Sequence, residues 1–455
     1  MKFERPDLSV VGGGLAGSEA AWQAAARGLH VHLYEMRPGT PTGAHLTASL
    51  AELVCSNSLG STQLDRAQGL LKEELRLMGS FLLKCAEENT VPAGGALAVD
   101  RQAFAASVTA QIEANPNIEI IRQEVTQIPP GLVILASGPL TSQALSAAIA
   151  SLTGKEHLYF FDAIAPILSV ESIDMERAYK ASRYNQGENL DGDYINCPMT
   201  REEYLAFAHA LVNAERIALK EFEKDLESGV TAGMQNFFEG CLPVEIIAQR
   251  GIDSLAYGPL RPIGLKDPHT GKRPYAVVQL RQDNQAGSLY NMVGFQTNLT
   301  FPEQQRVFRL IPGLEHAHFE RFGQMHRNTF IFSPAVLRPT LQHIQREDLF
   351  FAGQIMGIEG YAGNMVSGLL AGWNAARLLQ GKLPLALPET TMTGALMQYI
   401  VHASARDFQP MKANFGLLPP IAQDKIRHLG RRERARLAAE RAVQHLSEFL
   451  KGLEQ

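Results

Sequence analysis

Leu8, Ser9, Val10 and Val11 read as a short buried strand. Gly12, Gly13, Gly14, Leu15, Ala16 and Gly17 follow at once, and an Ala-rich helical pattern then runs to Arg27, with Gly28 placed to end it. Residues 30–34 form a second strand that ends in Glu35. Leu71, Leu75, Met78, Leu82 and Cys85 recur at threes and fours, which predicts one amphipathic helix over 70–88 and puts Cys85 in the core. Residues 98–114 predict another helix and 118–125 a strand. Residues 132–136 predict a buried strand that runs into Ser137-Gly138-Pro139.

The texture changes near residue 173. Thr200 and Glu203 make a capping box for a helix of about 25 residues that ends near Gly229. Residues 275–281 and 289–295 alternate like strands. The first texture resumes near 319. A strand over 348–354 ends at Gly353-Gln354, and a loop carries Gly357, Gly360, Tyr361, Gly363 and Asn364. A helix then runs from Val366 to Leu379, residues 384–388 form a linker, and the rest is helical and basic. The expected division is 1–172, an inserted 173–318, and 319–455.

The opening unit is strand, glycine turn, helix, strand and acid, the pattern that holds a dinucleotide. Gly12 would allow the sharp turn, Gly14 the approach of a pyrophosphate, and Gly17 close packing of helix on strand. The pyrophosphate would sit at the helix N-terminus. Glu35 would take the ribose hydroxyls, with Arg37 in the turn beside it. An acid at this position disfavours a 2′-phosphate, which leaves FAD or NAD. Gly138, after the strand over 132–136, would face the same ligand. The later strand and loop, with Gly353, Gln354, Gly360, Tyr361 and Asn364, would aim a helix N-terminus at a flavin ring. Together the two motifs indicate FAD.

Composition narrows the class. The 455 residues are 45% hydrophobic and 20% charged, which suits a globular chain of two or three domains. No apolar run is long enough for a membrane span, and the N-terminus has no apolar leader, so the expected compartment is the cytoplasm. Four cysteines without a C-x-x-C pair argue against a disulfide scaffold, a zinc site and a flavin disulfide reductase, and no metal is expected. The net charge of −5 does not announce a nucleic-acid binder. Residues 425–436, however, carry Lys425, Arg427, Arg431, Arg432, Arg434 and Arg436 against Glu433. That run is either a solvated helix face or a surface for RNA.

An ordered set of motifs then stands out: residues 10–17, AELVCSNSL at 51–59, SRY and NCPMT within 182–200, FEGCLPVE at 238–245, and YGPLRPIGL at 257–265. GFQT at 294–297, RLIPGL at 309–314, MHRNT at 325–329 and residues 351–368 complete it. In this set the chain resembles the folate- and FAD-dependent tRNA (uracil-5-)-methyltransferases. The resemblance implies an α/β fold, a glutathione-reductase-type FAD-binding Rossmann domain interrupted by a smaller α+β insertion. It implies that 5,10-methylenetetrahydrofolate supplies a one-carbon unit to a uridine of the tRNA T-loop, and that FAD, reduced again by NADH or NADPH, supplies the electrons. Many FAD proteins have an acid where Gln354 stands, which leaves the ribityl contact there open. Two other readings are a longer-chained FAD and folate enzyme of the tRNA wobble uridine, and a non-catalytic FAD-containing tRNA-binding protein.

The chemistry needs a thiolate to add to C6 of uracil and a base to remove the C5 proton. Cys55 and Cys241 lie in family motifs and are assigned as nucleophile and general acid/base, the reverse being the alternative. Cys197 stays undecided. Tyr361 is a candidate to stack on a pterin or uracil ring. Arg261, Arg281 and Arg327 are candidates for a folate carboxylate or RNA phosphates, and His326 and Asn328 for the neighbourhood of the folate.

Overall fold

The computed structural model describes residues 5–154, 158–185, 192–217, 242–404, 408–421 and 429–453, without the side chains of 158–163, 185, 326 and 327. Leu8–Val11 is the central strand of a five-stranded parallel sheet in the order Leu349–Phe351, Val133–Leu135, Leu8–Val11, Val31–Tyr34, Ile118–Ile121. Successive residues of Leu8–Val11, Val133–Leu135 and Leu349–Phe351 are all buried, so both faces of the sheet are covered there, as parallel sheets require. The strand expected over 118–125 stops at Ile121.

Helix α1 (Leu15–Ala25) follows the glycine turn. Gly12 has φ +108°, and a Cβ on Gly17 would lie 1.8 Å from the Gly12 carbonyl oxygen. The single helix expected over 70–88 is two, α2 (Ala67–Leu77) and α3 (Phe81–Glu88). Gly79 turns the chain at φ +73°, and the Ser80 hydroxyl accepts the Leu83 N–H. Glu19 of α1 accepts the N–H groups of Phe81 and Leu82 at 3.0 and 2.8 Å. Both segments pack on one core, so the apolar spacing continues across the break. Cys85 is fully buried there, and burial together with Glu88 pushes its thiol up to about 11. The helix expected from 98 begins later, as α4 (Arg101–Ala114), because Asp100 caps it. Ala96–Val99 instead joins Ser58–Ser61 and Thr90–Val91 in a small antiparallel sheet.

A six-stranded antiparallel sheet forms the second unit, in the order Tyr179–Ala181, Tyr194–Met199, Ala276–Gln282, Leu289–Met292, Ile167–Ser169, Phe319–Arg321. One face is apolar: Ile195 pairs with Leu280, Cys197 with Val278 and Met199 with Ala276. That face packs under α5 (Arg201–Val212) and neighbouring helices. Thr200 and Glu203 form the expected capping box, but α5 ends at Val212, and residues 218–229 lie outside the described residues. Cys197 is a core residue, its thiol pushed up by burial. The opposite face is polar, with Tyr194 beside Arg281 and Arg281 beside Asn291. Leu158–Ala163 and Met325–Phe330 pair as the chain leaves the first unit and returns to it.

Helix α6 (Tyr361–Leu379) begins five residues before the expected Val366, after Gly360 at φ +89°. It lies tightly on α1, for a Cβ on Gly368 would be 2.1 Å from the Ala16 carbonyl and one on Gly372 2.6 Å from that of Ala20. Helix α7 (Met392–His402) donates its first N–H groups to Glu74 of α2. Helix α8 (Arg431–Leu453) packs on α2 through Ala439, Ala442 and Leu446.

Candidate active site

The carboxyl ends of the central strands open on a cleft. Gly12, Gly13, Gly14, Leu15 and Ala16 line one side of it, with Glu35 and Arg37 at the edge. Gly138 lines the middle, and Gly353, Gln354, Tyr361 and Asn364 the far side. Gly17 and Gly360 stand behind this lining: Gly17 lets α1 close on the turn, and Gly360 starts α6. Glu52, Ser137 and Thr141 also line the cleft; Glu52 lies in the 51–59 motif and Ser137 in the turn before Gly138, but neither is among the expected site residues.

Glu35 is committed to the protein itself. One oxygen accepts the Gly13 N–H at 3.0 Å, and the other accepts Arg37 N at 3.0 Å and Nε at 2.8 Å. Burial pushes its pKa up, but the Arg37 guanidinium and the two N–H groups outweigh this and hold it below the ordinary value. About one of its four lone-pair sites stays open for a ribose hydroxyl. Arg37 also donates to Glu52 at 3.1 Å.

Two features fit a bound dinucleotide. A Cβ on Gly14 would meet nothing within 4 Å, so the turn leaves open space where a phosphate would approach the N-terminus of α1. The Asn364 Oδ1, in the first turn of α6, is buried without a hydrogen-bond partner. Gln354 donates its amide to Glu359.

The loop that carries Cys55 is clamped from both units. Ala51 N donates to the Gly13 carbonyl at 2.9 Å. The Tyr361 hydroxyl accepts the N–H groups of Cys55 and Ser56 at 3.0 and 3.1 Å and donates to the Ser56 carbonyl at 2.9 Å. Asn57 donates to Val99 O and Gln282 O and accepts Arg281 Nε at 2.8 Å. Arg101 donates to Leu53 O and is ion-paired with Asp283 at 3.0 Å. Cys55 is partly exposed at the bend of this loop.

Cys241 lies outside the described residues, as do the side chains of His326 and Arg327. Asn328 is fully buried with neither amide atom bonded, away from the cleft lining. Arg261 is exposed on a loop whose carbonyls are held by Arg183. Lys425 and Arg427 also lie outside the described residues. Arg432 is ion-paired with Asp65, Arg434 donates to Leu429 O, and Arg436 pairs with Glu440. These contacts fix the start of α8. Among the described residues no three His, Cys, Asp or Glu side chains are grouped to hold a metal, and no helix is long and apolar enough to cross a membrane.

A family model described as "Glucose inhibited division protein A" matches residues 7–383. A protein of Halalkalibacterium halodurans is 53% identical over 98% of this chain and 99% of its own length. One of Desulforamulus reducens is 54% identical over 97% of each. One of Pelotomaculum thermopropionicum is 56% identical over 97% of this chain and 98% of its own. All three are named methylenetetrahydrofolate--tRNA-(uracil-5-)-methyltransferase TrmFO. Among solved structures, Aquifex aeolicus GidA superposes with a TM-score of 0.67 at 18% identity, covering 99% of this chain and 76% of that one, a likeness of fold. With a match spanning residues 7–383 and these near full-length relatives, the chain belongs to the glucose inhibited division protein A family.

Proposed function

We propose that the protein methylates C5 of a uridine in the tRNA T-loop, with 5,10-methylenetetrahydrofolate as one-carbon donor, FAD as the bound redox group and NADH or NADPH as reductant, in the cytoplasm. The names of the full-length relatives support the reaction. The observation that carries it is the tie from Tyr361, which lines the dinucleotide-type cleft, to the backbone of Cys55, a partly exposed residue next to Val54 of the same lining.

Gly12 to Ala16, Gly138, Gly353 and Asn364 would hold the FAD, with Glu35 on the ribose. Bound FAD supplies the electrons that convert the transferred methylene to a methyl. Cys55 would add its thiolate to C6 of uracil, placing the electron pair on C5 and O4. C5 would then attack the methylene carbon as one of its two C–N bonds to the folate breaks, the nitrogen keeping the electron pair. Cys241 would remove the C5 proton as the second C–N bond breaks and tetrahydrofolate leaves, and addition of a hydride equivalent to the methylene would complete the methyl as the C6–S bond breaks and returns the Cys55 thiolate.

Label in the methylene of tetrahydrofolate should appear in 5-methyluridine of T-loop tRNA, and label in the methyl of S-adenosylmethionine should not. The opposite result overturns the reaction.

A further inference from the structure

The polar face of the six-stranded sheet carries two cations that the reaction above does not use. Cross-strand neighbours share a face. Tyr194, Arg281, Asn291 and Ile167 are such neighbours in one row, and Arg321 continues it across a bulge. This row points at the loop of Cys55. Arg281 is 8% exposed and donates Nε to Asn57. Arg321 donates to the Ala44 carbonyl at 3.0 Å. Both guanidinium groups lie within electrostatic reach of the Tyr361 hydroxyl, Arg101 and Asp283.

Among the described residues, neither arginine is ion-paired. The nearby acids are taken: Asp283 by Arg101, and Glu35 and Glu52 by Arg37. Burial lowers the pKa of both arginines. Beside Arg281, Asn291 is 2% exposed, and its Nδ2 has no hydrogen-bond partner. One buried and one half-buried cation, neither of them ion-paired among the described residues, next to a spare amide donor, form an arrangement that an incoming anion completes.

We propose that Arg281, Arg321 and Asn291 form a receptor for an oxyanion of the substrate, beside Tyr361 and Cys55. The planar guanidinium suits a carboxylate or a phosphate equally. The anion is therefore either the glutamate carboxylate of the folate or a phosphate of the RNA, a choice of source that rests on the function proposed above.

The first probe is inorganic phosphate, read by broadening of its 31P signal in the presence of the holoenzyme. The wild type should broaden it saturably. Arg281→Gln and Arg321→Gln should weaken the interaction about tenfold or more. Asn291→Asp guards against misfolding: it is isosteric, gives the arginines an internal counter-ion, and should abolish the broadening with flavin content and Tm kept. Wild-type protein without saturable broadening, or variants that keep it, overturn the receptor. Two further arms assign the source. A T-arm hairpin RNA that binds the glutamine variants more weakly, with a shallower salt dependence, assigns the phosphate. Tetrahydrofolate that binds them more weakly assigns the carboxylate. If all variants bind both ligands as the wild type does, the receptor is also overturned. A wild type that shows the phosphate effect yet methylates no tRNA leaves the receptor standing and removes the proposed function.

Discussion

The Tyr361 hydroxyl accepts the backbone N–H of Cys55 at 3.0 Å across 306 positions of sequence. It thereby joins the helix that starts in the cleft to the loop that carries the thiol. Burial, and then the charge of Cys55, push the Tyr361 pKa up, so the phenol stays protonated and donates to Ser56. Tyr361→Phe leaves two N–H groups and a carbonyl without that partner, at a cost of about 1–3 kcal/mol. The expected outcome is normal flavin absorbance with methyl transfer lowered about tenfold or more. Unchanged turnover would show that the clamp does not position Cys55.

Two glycines of the turn should behave differently. Gly14→Val finds open space at its Cβ and an ordinary φ of −74°, so the fold should persist while FAD is lost to a clash with the phosphates. Gly17→Val meets a carbonyl at 1.8 Å and should destabilise the protein itself, lowering Tm as well as flavin content. Thermal melts and released-flavin assays separate the two. Full flavin occupancy in Gly14→Val would remove the phosphate assignment.

Glu74 ties stability to pH. Burial pushes its carboxyl up to about 7 against the donors of Thr393 and Met392. The folded state therefore binds the proton more tightly than the unfolded chain, whose carboxyl keeps its value of 4.5. Its contribution is full below that lower value and is lost as pH rises through the folded one. Between pH 5 and pH 7.5, wild-type Tm should fall relative to that of Glu74→Gln. Parallel Tm curves for the two proteins would contradict the shift.

The thiols separate chemistry from packing. RNA bearing 5-fluorouridine should trap a covalent adduct, because fluorine cannot leave as the proton does. Cys55→Ala should lose adduct and turnover and keep FAD. Cys241→Ala should lose turnover and still form some adduct. Cys85→Ala should cost about 1–2 kcal/mol through lost packing, with activity preserved. An adduct mapped to Cys241 would reverse the two roles.

What was legible in the sequence was what neighbours in sequence build together. The strand, glycine turn, α1 and Glu35 lie within residues 8–35 and could be read as one unit. The break at Gly79 was hidden because the apolar spacing of α2 runs on into α3, and the carboxylate that accepts the first N–H groups of α3, Glu19, comes from another helix. The early start of α6 was hidden because Gly363 looks like loop, although it sits within the first helical turn. Cys55 was found through its motif, whereas its clamp joins residues with no shared periodicity. Arg321 carries no local signature at all, since its place depends on the order of strands across the sheet.

The close fit of α6 on α1 also bears on the birth of the protein. The groove of small residues on α1 is filled by Gly368 and Gly372, and the sheet that supports it is completed by Leu349–Phe351. Both partners follow the whole second unit in the chain. A ribosome that has released only the first unit therefore presents a nascent chain with one apolar helix face and one sheet edge open. The nucleotide cradle closes late in translation, and until then that chain is the stage most in need of a chaperone.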